Sequence, residues 1–180
     1  MRKKFDALLL AAGEGRRLRP ITASVPKCLV PVCGTPLLDY WIKLLASNDR
    51  TNRIFINTSY LAGAVNNFLQ SHENKNLIDI LYEPKLLGTA GTIIENSHRF
   101  STKDIFIAHA DNLSYFNLNE FHQRHEFRPK YTTVTMMTFE TDSPSSCGIL
   151  STNSDGVMTK YVEKPKDSFF GDANGATYFF

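Results

Sequence analysis

At 180 residues the chain is long enough for one domain with a real core and too short for two comfortable ones. Hydrophobic residues at 42% and charged residues at 21% are ordinary for a soluble globular protein. A formal charge of only +2 gives no global basic field for nucleic acid, and no apolar run approaches membrane-spanning length.

The N-terminus, Arg2-Lys3-Lys4 before apolar residues, superficially imitates a secretory signal. Asp6 interrupts the run, and about six apolar residues are too few, so residues 7–12 predict a buried strand. The three cysteines (Cys28, Cys33, Cys147) have no C-x-x-C spacing, which argues against a disulfide framework or zinc site and for a reducing, cytoplasmic compartment.

After residue 12 the apolar run breaks at Gly13-Glu14-Gly15, and Arg16, Arg17, Arg19 and Lys27 follow. Two glycines let the backbone turn several N–H groups toward one point, a nest suited to an anion. Arginines beside it add fork-shaped donors that match phosphate oxygens. The stretch predicts a polyphosphate cradle at the end of a central strand. A dinucleotide fingerprint needs a third glycine where Leu18 stands, and an acidic end to the next strand, which instead closes in Asn57-Thr58. A P-loop needs a Gly-Lys-Ser/Thr that is absent.

Further along, Thr35-Pro36 predicts the start of a helix with Leu38, Trp41, Ile42 and Leu45 on its apolar face. Strands are predicted at 53–58, 77–82, 104–109 and 132–139. Helices are predicted at 61–72, from 87 to about 98, and from Asn117, three residues before Glu120, to about 127. Alternating strands and helices predict an α/β fold with a doubly wound, mostly parallel sheet. Gly13, Glu83 and Asp111 fall at strand ends, where such sheets bind ligands. From Thr141 the texture changes to a loop, a hairpin around Asp155-Gly156 and a strand at 176–180. His122 and His125 have metal-like spacing, but Gln123, Arg124 and Glu126 around them predict a solvated helix face.

The string Gly13, Gly15, Arg17, Leu18, Pro20, Thr22, then Pro26, Lys27, Leu29, Pro31 and Val32 resembles the signature of the sugar-1-phosphate nucleotidylyltransferases, G-x-G-x-R-L-x-P-x-T followed by P-K-x-L-x-P-V. The resemblance implies a Rossmann-like nucleotide-sugar transferase fold and Mg²⁺-dependent nucleotidyl transfer from a nucleoside triphosphate to a sugar 1-phosphate. On it, Arg17 and Lys27 are the catalytic pair, and Ala12, Gly13 and Gly15 cradle the nucleotide. Asp111 in His109-Ala110-Asp111 resembles the metal-binding aspartate of a G-D motif, with alanine in place of glycine; a strand-ending Asp is also a common turn residue. Residues 83–91, EPKLLGTAG, resemble the base-recognition segment, which assigns Glu83, Gly88 and Thr89 to the nucleotide. An ionised carboxylate only accepts hydrogen bonds, which favours guanine with its two adjacent donors, and hence GTP. Glu163-Lys164 resembles an E-K-P motif that takes sugar hydroxyls and sugar phosphate. Gly148 and Asn174 match further sugar contacts, the latter in N-G-A where the family has N-A-G.

The expected organisation is one domain over 1–180, with a nucleotide-binding part to 140 and the start of a sugar-binding part from 141. The chain stops inside an apolar run, ATYFF, which reads as a truncated domain, and the family's second metal-binding aspartate would lie further on. A non-catalytic nucleotide-sugar-binding subunit is the alternative in that case. The expected partners are the two substrates, with neither nucleic acid nor membrane, and self-association is left open.

Overall fold

A computed structural model describes residues 3–166 and 171–180. The chain divides into two compact units, Met1–Asn119 and Glu120–Phe180. In chain order the elements are β1 (Phe5–Leu10), β2 (Pro31–Val32), β3 (Thr35–Pro36), α1 (Leu37–Ala46), β4 (Thr51–Thr58), α2 (Ala62–Ser71), β5 (Ile78–Tyr82), α3 (Gly88–Asn96) and β6 (Asp104–His109). There follow α4 (Leu118–Glu126), β7 (Thr135–Phe139), β8 (Gly148–Thr152), β9 (Met158–Glu163) and β10 (Asp172–Phe179).

The long strands of the first unit pair in parallel in the order β5-β4-β1-β6. The chain steps outward from β1 to β4 and β5, then returns to the other side of β1 for β6. Right-handed crossovers therefore place α1 and α2 on one face and α3 on the other, which makes the sheet doubly wound as expected. The direction reverses between β1 and β6, and the carboxyl ends of the strands open a crevice there. Register sets Leu10 of β1 beside Asn57 of β4 and His109 of β6, so these three residues share one level at the crevice floor.

Strand β1 is buried throughout its first five residues, as a parallel strand covered on both faces must be. Its one carboxylate, Asp6, accepts the N–H groups of Ser101 (2.6 Å) and Thr102 (3.0 Å) and the Asn52 amide (2.7 Å). Those bonds offset the cost of burying a charge, and they fix the turn into β6. On α1 the predicted stripe of Leu38, Trp41, Ile42 and Leu45 is buried. The Trp41 ring lies 6.0 Å from that of Phe106, and its indole N–H donates to the Asn112 carbonyl at 2.8 Å. That bond ties α1 to the segment that carries Asp111.

One helix start differs from expectation. Cys33 (φ 49°) and Gly34 (φ 81°) are both left-handed, the signature of a tight hairpin turn, and they fold Thr35-Pro36 back onto Pro31-Val32 as a two-stranded ribbon. Helix α1 begins only at Leu37, with no side-chain cap.

The second unit is antiparallel, in the order β7-β10-β8-β9. The predicted turn between β8 and β9 is present: Asn153 Oδ1 accepts from the N–H groups of Asp155 and Val157, and Gly156 takes φ 73°. Strand β7 starts at Thr135, later than expected, because Thr132 closes a turn on Pro129. His122 and His125 correct the expectation of a solvated face. Both are fully buried and stack on Phe179 with ring centroids 4.7 and 5.4 Å away, while Gln123 and Arg124 face outward.

Candidate active site

At the reversal point a cavity of about 190 Å³ opens over the strand ends. Leu10, Ala11, Ala12 and Gly13 form one wall, and Lys27 with Cys28 another. Asn57, His109 and Asp111 rise from the floor, and Leu86, Gly88 and Thr89 close the remaining side. Five segments far apart in sequence thus converge where a doubly wound sheet holds its ligand.

The two loop glycines serve different ends. Gly15 is left-handed (φ 62°), and a Cβ there would approach the Lys27 Cβ to 2.9 Å and the Thr22 methyl to 3.0 Å. The second glycine therefore lets the loop close over the stem of Lys27, which explains why these two motif pieces occur together. Thr22 locks the closure, its hydroxyl donating to the Gly15 carbonyl at 2.8 Å. Gly13 has nothing within 4 Å of where its Cβ would be, so a side chain there would occupy the cavity itself. The N–H groups of residues 12–16 find no acceptor among the described residues, as an anion cradle requires.

Glu14 sorts the basic cluster. It holds Arg16 through two hydrogen bonds (2.7 and 3.1 Å) and lies 3.8 Å from Arg19. The hydrogen bond from Arg16 keeps the Glu14 carboxyl below its usual range. Arg17 is exposed and pairs with no carboxylate among the described residues; it lies outside the cavity wall.

Lys27 pairs with Asp111 inside the cavity, both side chains about a quarter exposed. Asp111 follows β6, and the Ala110 N–H donates to the Leu10 carbonyl at 3.0 Å, which carries the sheet one residue further. Ala110 is fully buried, so the methyl that replaces the resembled family's glycine points into the core rather than at a ligand. Cys28 lines the cavity too, but burial pushes its thiol up to about 12, so it stays protonated and is no nucleophile.

Glu83, expected as the base reader, sits below the surface. Its residue is buried, and its carboxylate is met from within the protein by Asn57, Thr92 and the Leu87 N–H. It is absent from the cavity wall, and Leu86, Gly88 and Thr89 stand there instead. Sequence reasoning passed over Asn57, noting it only as a strand end that lacked an acid. It also left His109 unassigned, and the structure puts His109 at the cavity floor.

The residues expected to bind sugar lie in the second unit. Gly148 faces Glu163 across the β8–β9 ladder, and a Cβ on Gly148 would meet the Tyr161 hydroxyl at 1.9 Å. Tyr161 lies over that face and donates to Glu163 Oε2 at 2.7 Å. Lys164 is left-handed (φ 46°) with its ammonium 3.9 Å from Glu163. Asn174 pairs with the Tyr178 hydroxyl and accepts the Ala176 N–H at 2.8 Å. Ala176, which stands where the resembled motif has glycine, is itself left-handed (φ 52°).

A family model described as nucleotidyl transferase matches residues 6–180. The chain belongs to the nucleotidyl transferase family. A putative mannose-1-phosphate guanyltransferase of Sulfolobus acidocaldarius is 30% identical over 97% of this chain and 48% of its own length. A UTP–glucose-1-phosphate uridylyltransferase of Synechocystis is 26% identical over 98% of this chain and 49% of its own. Among solved structures, a putative glucose-1-phosphate thymidylyltransferase from Bacillus anthracis, in complex with sucrose, superposes with a TM-score of 0.85 at 21% identity, over 98% of this chain and 71% of that one. The last comparison confirms the fold. The chain spans about half the length of the curated relatives it matches.

Within the nucleotidyl transferase family the relatives share one reaction type and differ in base and sugar. The glycine loop, Lys27 and Asp111 are brought together in the first unit; Gly148, Glu163, Lys164 and Asn174 are gathered in the second. No helix among the described residues is long and apolar enough to cross a membrane.

Proposed function

We propose that the chain carries the nucleotidyl-transfer site of a sugar-1-phosphate nucleotidylyltransferase. The observation that carries the reading is the convergence of an open glycine cradle, Lys27 and Asp111 at the topological reversal of the sheet. An oxygen of the sugar 1-phosphate attacks the α-phosphorus of a nucleoside triphosphate. A new P–O bond forms, the bond from the α-phosphorus to the bridging oxygen breaks, and pyrophosphate leaves with that electron pair. The reaction asks for positioning and charge neutralisation more than for proton transfer. The free N–H groups of the loop hold phosphate oxygens, and the Lys27 ammonium neutralises charge on the transferring group. Arg17, which Glu14 does not engage, takes the departing pyrophosphate. Glu163 and Lys164 are assigned to the sugar hydroxyls and sugar phosphate.

Asp111 fits a divalent cation of the Mg²⁺ kind. No group of three or more metal-type side chains occurs among the described residues, so Asp111 is the one carboxylate of this cavity that would hold the ion, alongside phosphate oxygens and water, as Mg²⁺ commonly binds. Bound there, it would supply further neutralisation of the phosphates.

GTP is the favoured donor and mannose 1-phosphate the first acceptor to try. Support for guanine comes from the Sulfolobus relative's name, since the Glu83 carboxylate is occupied. The test is pyrophosphate release from a panel of GTP, UTP, dTTP, ATP and CTP against mannose and glucose 1-phosphates. Release with GTP ahead of the others supports the reading. Triphosphate binding with no release for any pair points to the non-catalytic alternative.

A further inference from the structure

Asn57 at the cavity floor forms a buried polar trio with Glu83 and Thr92, which do not line the cavity; the three are exposed by only 2%, 3% and 0%. Glu83 Oε1 accepts from the Asn57 amide (3.0 Å) and the Thr92 hydroxyl (2.5 Å), and Oε2 accepts the Leu87 backbone N–H (3.1 Å). Asn57 turns its other hydrogen toward Thr92 (3.3 Å), and its Oδ1 accepts the Ala11 N–H at 2.7 Å. An apolar trio in the same place would avoid the cost of a buried carboxylate. What the polar trio adds lies at its two ends. One is Ala11, at the entry to the glycine loop; the other is Leu87, between the cavity residues Leu86 and Gly88.

We propose that Asn57 and Glu83 are positioning residues of the nucleotide site. They act through Ala11 and Leu87, and they set the spacing between the phosphate loop and the 86–89 segment. The proposal rests on the nucleotidyl-transfer reading. Donor and acceptor arithmetic makes the pair unusually testable. In Glu83→Gln, the new amide presents donors either to the Asn57 amide or to the Leu87 N–H, so one donor faces another whichever way it turns. In Asn57→Asp, two carboxylates face each other. In the double variant N57D/E83Q every bond returns, with the bonds between side chains reversed in direction. The amide now at position 83 donates to the carboxylate at position 57 and to Thr92, and its oxygen accepts from Leu87. The carboxylate at position 57 still accepts from Ala11. Formal charge is unchanged.

The experiment measures GTP and UTP affinity by calorimetry, with amide exchange at Ala11 and Leu87, for the parent, both single variants and the double. Each single variant is expected to lose affinity for both nucleotides by on the order of tenfold, the effect of about one hydrogen bond. Exchange at both amides should quicken. The double variant should recover affinity to within about threefold of the parent, and recover exchange protection with it. Single variants that bind as the parent does overturn the proposal alone. So does a double variant that keeps the nucleotide ranking of Glu83→Gln, since then the side chain at position 83 touches the base. A parent that binds no triphosphate overturns the nucleotidyl-transfer reading and this proposal with it.

Discussion

Lys27 and Asp111, 84 residues apart in the chain, are each other's ionic partner inside the cavity. The carboxylate that a cation would need is held by an ammonium, and that ammonium is the group assigned to the phosphates. Both can change partners together when a metal-bound triphosphate arrives, which leaves neither charge unpaired. Mn²⁺ titrated alone, followed by electron paramagnetic resonance, should therefore bind weakly. Lys27→Met should tighten Mn²⁺ binding by about tenfold, the scale of removing one competing charge at a partly exposed site. Adding Asp111→Asn to that variant should abolish the gain; Mn²⁺ binding that ignores both substitutions would put the ion elsewhere.

In the proposed reaction Arg17 is assigned to the departing pyrophosphate and Lys27 to the transferring group, and both are asked to stabilise charge that develops during transfer. Alanine at either position should lower turnover by roughly a hundredfold or more, the usual loss for one preorganised charge contact. Circular dichroism checks that the variants fold. Arg16→Ala, by contrast, removes a side chain already engaged by Glu14 and should cost less than about fivefold. Equal losses at Arg16 and Arg17 would contradict the sorting by Glu14.

Tyr161 fills the space above Gly148 and steadies Glu163. That hydrogen bond to the carboxylate also raises the Tyr161 phenol above its ordinary value. Tyr161→Phe should raise KM for the sugar 1-phosphate by about threefold to tenfold, one hydrogen bond to an exposed carboxylate, and leave KM for the triphosphate unchanged. Gly148→Ala drives the hydroxyl off Glu163 and should produce the same split. Steady-state kinetics with each substrate varied in turn decide it.

Asp39 on α1 accepts from Lys43 and from His72, both at 2.9 Å. The Asn74 N–H donates to His72 Nδ1, so Nε2 carries the hydrogen that His72 gives to Asp39. Burial alone would raise the Asp39 carboxyl, but the hydrogen bonds from Lys43 and His72 outweigh it and hold the group below its ordinary 3.8. With the folded value depressed, the unfolded chain binds more protons, so this stabilisation is complete above about pH 4 to 5 and fades as pH falls through the folded value. Asp39→Asn should cost about 1–3 kcal/mol at pH 7 by urea unfolding. The gap between parent and variant should close as the pH drops below 3.8.

How much was legible in the chain itself follows from the range of the forces involved. The parallel strands were readable because a strand covered on both faces must be apolar throughout, and helix α1 because burial repeats at helical spacing. The glycine loop, Lys27 and Asp111 were readable because backbone freedom and charge at strand ends are local properties. Partnership is not local. Glu83 at a strand end has the same sequence whether it faces a base or the Asn57 amide, and only folding brings Asn57, Thr92 and Leu87 within hydrogen-bond distance of it. His122 and His125 look solvated beside Gln123 and Arg124, yet the Phe179 ring, far along the chain, buries them. Gly148 reads as room for a ligand until the strand ladder places Tyr161 over it. The sequence by itself determined the parallel strands, the family and the place of the glycine loop. Which carboxylate is free and which is already satisfied was decided by tertiary structure, because hydrogen bonds act over about 3 Å and chain separation says nothing of that distance.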